Sequence, residues 1–134
     1  MIALLGILVL SVAPQDSFNF FKVSTAAKQI EQALIYCQQL AQMKNQNCGI
    51  YFVANGTYTV YETSIGTPAQ NPLTNQPWVI NLSEDYERVH ILNSGQIEFN
   101  TLGKPVIGGG SNIQIGDGEN SKTLLVTANT GVVQ

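Results

Sequence analysis

The sequence predicts an α+β fold: one long N-terminal helix, kinked at Pro14, packed on a small antiparallel β domain. Three observations predict it. Met1 to Ala13 is an apolar run without a charge. From Phe18 to Met43 apolar side chains recur in steps of three and four, the period of a helix with one buried stripe. After Asn45, runs of β-branched and aromatic residues alternate with Gly, Asn and Pro, as short strands and turns do.

The helix comes first. Its stripe is Val23, Ala26, Ala27, Ile30, Ala33, Leu34, Cys37, Leu40 and Ala41. Lys22, Lys28, Gln29, Glu31, Gln32, Gln38, Gln39 and Gln42 take the other faces. No Gly or Pro interrupts Gln15 to Lys44, and Lys44-Asn45 supplies a cation and a left-handed cap at the end. Pro14 removes a backbone donor and crowds the preceding turn, so it bends the helix without ending it. A continuous helix of roughly 43 residues is about 65 Å long, whereas a domain of the remaining ~90 residues has a radius of gyration near ~12 Å. The uncharged half therefore projects, and it needs lipid or further copies of the same helix.

The apolar run has three readings. It is shorter than the about 20 residues that span a bilayer. Ser11-Val12-Ala13 has small residues placed for signal-peptide cleavage, but no Lys or Arg precedes the run. A buried core helix is the second reading. The third, which we prefer, is the end of a longer membrane helix whose upstream residues the sequence lacks. The chain then divides into an apolar membrane or filament-core segment, 1–14, and a domain, 15–134.

Composition adds bounds. A length of 134 residues fits one domain. Six Lys and Arg against nine Asp and Glu give a net charge of −3, with no basic patch, which argues against nucleic acid.

The β part begins with Gly49–Val53 and Thr57–Tyr61 around Asn55-Gly56, a hairpin with a two-residue turn. Thr63 to Pro77, with three prolines, reads as a long irregular loop. Trp78–Leu82, Arg88–Leu92, Gln96–Phe99, Asn112–Ile115 and Thr123–Thr127 read as strands, with a loop over Gly103–Ser111 and a turn at Asn129-Thr130-Gly131. About seven short strands result, over 48–134, after an amphipathic helix over 15–45.

The series resembles the type IV pilin-like proteins, and within them the minor pseudopilins of the GspH/FimT family. The N-terminal match is Ala3-Leu4-Leu5-Gly6-Ile7-Leu8 with Pro14 eight residues after Gly6. The C-terminal match is Gln96 to Pro105, then Ile113-Gln114-Ile115, Leu124-Leu125-Val126 and Thr130-Gly131-Val132-Val133. The middle, Glu62 to Glu87, is not diagnostic. Precursors in the family carry a basic leader, a Gly, a Phe and a Glu ahead of the apolar run. The sequence shows none of them, so about eight mature residues and the leader are expected upstream of Met1, enough to complete a span of about 20. Some FimT-like members bind DNA through a basic segment after the Thr-Gly turn. Here Val132-Val133-Gln134 follows Gly131, which lowers that reading, since counterion release needs clustered cations.

Few residues suggest chemistry. Cys37 and Cys48 are separated by ten residues across one helix-to-strand turn. The spacing allows a disulfide, worth roughly 2–3 kcal/mol, and it equally allows a buried thiol beside a chance cysteine. His90, between Val89 and Ile91, lacks a second histidine and a Gly-x-Ser-x-Gly elbow, so it reads as a strand-surface imidazole. Glu84, Asp85 and Glu87 read as a solvated turn. Asp117-Gly118-Glu119-Asn120 lacks the EF-hand series. Gly108-Gly109-Gly110 lacks the Gly-Lys-Ser/Thr of a phosphate loop. Asn55-Gly56-Thr57 matches a glycosylation acceptor, but the hairpin turn accounts for it.

The resemblance therefore implies a structural subunit of a type II secretion pseudopilus or a type IV pilus, without catalytic residues, cofactor or metal. Ile2, Leu4, Leu5, Gly6, Ile7, Leu8, Val9, Leu10 and Pro14 would carry assembly. The partners implied are other pilin or pseudopilin subunits, and the inner membrane before assembly, with the domain in the periplasm. A DNA-binding uptake pilin, and a secreted β-rich domain with a cleaved signal peptide, are the alternatives.

Overall fold

The computed structural model describes residues 15–134, with side chains from Phe21 onward. The expected kink at Pro14 and the assembly residues Ile2 to Leu10 lie outside the described residues.

Helix α1 runs Gln15–Lys44, about 45 Å at 1.5 Å per residue. Every residue of its expected stripe, Val23 to Ala41, is buried. Four of the nine are alanines, and their small side chains let the helix axis sit close to the sheet. The helix stops at Asn45, which takes φ 54°, and Gln46 N–H donates to Ala41 O at 3.2 Å. That six-to-one bond is the left-handed cap expected of an Asn after a final Lys.

Eight strands follow: β1 Cys48–Phe52, β2 Thr57–Glu62, β3 Val79–Asn81, β4 His90–Ile91, β5 Gly95–Phe99, β6 Pro105–Ile107, β7 Asn112–Gly116 and β8 Ser121–Leu125. They form two antiparallel sheets, one of five strands in the order β3-β2-β1-β5-β6 and one of three in the order β4-β7-β8. The helix packs on both sheets. Its stripe meets Ile50, Phe52, Val60, Ile97 and Phe99 from the larger sheet and Ile113, Ile115 and Leu124 from the smaller, as one core. Alternation decides which residues take part. Cys48, Ile50 and Phe52 face inward, and Tyr51 points out.

Three local expectations need correction. The β1–β2 turn is wider than two residues. Gly56 N–H donates to Val53 O, and only Asn55 has positive φ. Ala54 and Asn55 donate instead to Ser94 Oγ and Ile91 O, both at 2.8 Å, which draws the turn toward the smaller sheet. The 63–77 stretch is the irregular loop expected, without helix or strand, but isolated bridges tie it down. Tyr61 bridges Pro68 and Gln70 bridges Pro77, so 68–77 folds back as a narrow excursion from β2. The acidic turn holds a one-turn helix, α2, Leu82–Asp85, capped by Asn81, whose Oδ1 accepts from Ser83 N at 3.1 Å. Finally, β6 lies inside the expected 103–111 loop. Proline opens it, as an edge strand tolerates.

Candidate functional site

The stretch of α1 from Cys37 to Lys44 is where the chain's chemically distinctive groups meet. On its polar side two glutamines reach into turns far away in sequence. Gln38 Nε2 donates to Gly103 O at 2.7 Å and to Thr130 O at 3.2 Å. Gln42 Nε2 donates to Leu102 O at 3.1 Å. The helix end thus clasps the β5–β6 turn and the Thr130-Gly131 turn together. Gly131 has φ 73°, and a Cβ there would lie 2.8 Å from Gln38 Nε2 and 2.9 Å from Gly103 O. Only glycine fits that approach. The sequence places Gln38 and Gln42 on helix faces away from the apolar stripe. The one available signal was the Thr-Gly turn itself.

On the apolar side lie the cysteines. Cys37 and Cys48 are both fully buried and both free thiols. The bridge that the spacing allows is not made in this structure: Cys37 Sγ donates to Gly49 O at 3.4 Å, and Cys48 Sγ faces Gln46 O at 3.9 Å. Burial pushes the Cys48 thiol up to about 11 and the Cys37 thiol higher still. At Cys37 the second cause is Cys48 itself, so the two sulfurs are electrostatic neighbours. Such thiols are poor nucleophiles at neutral pH.

A polar network covers the outer side of β1. Gly49 pairs with Tyr61 on one flank and Glu98 on the other. Because Gly49 has no side chain, the Tyr61 ring lies over it; a Cβ would come within 2.7 Å of the Tyr61 hydroxyl. That hydroxyl donates to Glu98 Oε1 at 2.8 Å and accepts from Gln96 Nε2 at 2.7 Å. Asn47 Nδ2 donates to Glu98 Oε2 at 3.1 Å. Burial first, then the Glu98 carboxylate, which accepts its proton, hold the Tyr61 phenol above its ordinary range. The network is closed on itself. It braces the sheet rather than presenting a free acid or base.

The remaining sequence candidates are brought to no common site. His90 stands in β4 opposite Gly116, and its imidazole makes no hydrogen bond to a hydroxyl or carboxylate among the described residues. Asp117 Oδ1 accepts from Asn120 N at 2.7 Å and Glu119 N at 2.9 Å, and those bonds hold its carboxyl below the ordinary range. They close the β7–β8 turn. The three glycines at 108–110 are ordered: Gly110 N–H donates to Val126 O, and a Cβ on Gly108 would strike Gln96 O.

One cleft of about 250 Å³ is lined by Phe52, Asn93, Ser94, Gly95, Gln96, Ser111 and Asn112. Several of its polar side chains are already engaged. Asn93 bonds Asn112 and Gln114, Ser94 accepts from Ala54, and Gln96 holds Tyr61.

Among the described residues no cluster of three His, Cys, Asp or Glu could hold a metal ion, and no helix is long and apolar enough to cross a membrane. No protein-family model matches the chain, and neither a curated protein nor a solved structure matches it.

Proposed function

We propose that the chain is a minor pilin-like subunit of a type II secretion pseudopilus or a type IV pilus, structural rather than catalytic. Its apolar segment, kinked at Pro14, rests in the inner membrane before assembly and in the filament core afterwards. The domain then faces the periplasm. The observation that carries this reading is the packing of α1 together with the sequence that precedes it. One stripe of α1 is buried on both sheets, and the same helix follows on from an uncharged run of thirteen residues.

Two further features support it. The outward row of α1, Phe21, Lys28, Gln32, Ile35, Gln39 and Gln42, holds a single charge, and Glu31 offsets it at 3.6 Å. Such a face packs beside other helices at little desolvation cost. The Thr130-Gly131 turn, part of the family resemblance, is the piece that Gln38 ties to the helix.

The test is fractionation in the source cell, followed by shearing of surface filaments. The expected outcome is a membrane-bound pool, together with a filament pool that is lost when Leu5 and Leu8 are changed to Asp. A chain recovered only as soluble protein whose first residue is Pro14 would overturn the proposal in favour of a cleaved signal peptide. Salt-sensitive gel-shift binding of DNA would favour the uptake reading instead.

A further inference from the structure

We propose that Cys37 and Cys48 form a cross-linking site, joined as a disulfide in an oxidising compartment before the core closes over them. The placement argues for it. Cys48 shares the inward face of β1 with Ile50 and Phe52, and Cys37 shares the buried stripe of α1 with Leu34 and Ala41. The Cys37 sulfur contacts the carbonyl of Gly49, the residue next to Cys48. The cap at Asn45 and the Gln46-to-Ala41 bond turn the ten intervening residues back toward the helix. A bridge here would replace two weak thiol-to-carbonyl contacts, and it would tie the last turns of the helix to the central part of the larger sheet.

The chemistry is thiol–disulfide exchange with a small or protein disulfide as oxidant. One cysteine thiolate attacks the donor disulfide, forms a mixed disulfide and expels one donor thiol. The second cysteine thiolate then attacks the chain's own sulfur and expels the other. The chain loses two protons and two electrons, and the donor disulfide is reduced to two thiols. Exchange needs thiolate and access. Both are suppressed once the thiols are buried, so the reaction belongs to the unfolded or opening chain. The folded domain then shields the product from reductants. The proposal holds for any oxidising compartment and does not depend on the filament reading.

The experiment uses the full chain, purified reduced in mild detergent, and oxidised glutathione as the probe. When the chain is diluted from denaturant into the oxidant, its mass is expected to fall by about two daltons, restored by reductant. The folded reduced chain under the same oxidant is expected to react at least about tenfold more slowly. Cys48→Ser should show no deficit and retain a glutathione adduct on Cys37. An unchanged mass after oxidative refolding would overturn the site. Equal rates from the folded and the unfolded chain would overturn its protection by burial. Loss of the pilin reading would change none of these masses.

Discussion

Helix α1 is attached to the β domain in two ways. From Val23 to Ala41 it is held by an apolar stripe that contacts both sheets. At Gln38 and Gln42 it is held by side-chain amides on the carbonyls of Leu102, Gly103 and Thr130. The stripe is non-directional, since apolar burial rewards any close cover. The clasp is directional: it fixes which two turns sit beneath the helix end and how close they come. Most of the cohesion should therefore come from the first attachment, and the placement of the C-terminal residues from the second.

The sharpest way to break this comparison is in the stripe. Leu34 is fully buried, so Leu34→Ala should cost about 2–5 kcal/mol through lost burial and the cavity left behind. Urea unfolding of the variant checks it. A loss below that of either glutamine variant would reverse the ranking of the two attachments.

The stripe also carries Cys37, which makes stability respond to alkali. In the unfolded chain a thiol ionises near its ordinary value of 9.0, whereas the folded Cys48 does so only at about 11 and Cys37 above that. Here the folded state binds the proton more tightly. The contribution is therefore complete below about pH 9 and is lost as pH rises toward 11 and beyond. For a buried thiol such as Cys37 the slope approaches about 1.4 kcal/mol per pH unit. Urea midpoints of the reduced chain should fall across that window, and Cys37→Ala should flatten the fall. A profile unchanged by the substitution would sink the assignment.

The stripe could be read in the sequence because burial on one helix face leaves a period of 3.6, and each residue from Val23 to Ala41 obeys it. The strands could be read where they alternate, as in Ile113 and Ile115 or Ile50 and Phe52. Strand β6 could not, because Pro105 and the glycines around it signal a loop, and only the unpaired side of an edge accommodates them. The narrow excursion from Pro68 to Pro77 was hidden for a related reason. Its order comes from backbone bonds such as Ala69 N to Val60 O, which leave no hydrophobic period. The clasp was hidden most deeply. A glutamine that bonds a carbonyl 65 residues away looks the same in sequence as one that bonds water.

The two glutamines give the smallest effects, and they test whether the clasp acts by position. Gln38 is half-buried and makes two bonds, so Gln38→Ala should cost about 1–2 kcal/mol, because it also leaves the carbonyls of Gly103 and Thr130 without that donor. Gln42 is exposed and makes one bond, so Gln42→Ala should cost about 0.5 kcal/mol. Stability alone cannot distinguish a clasp from two ordinary surface bonds, but amide exchange can. The Gly131 N–H donates to Thr127 O within the turn that Gln38 holds. If Gln38 fixes that turn, its removal should speed exchange at Gly131 and Val132 while leaving β2 unchanged, because β2 is held by its own ladder to β1. Equal acceleration throughout would mean that Gln38 adds only global stability. A local effect at Gly131 would mean that the helix end sets where the C-terminal turn lies.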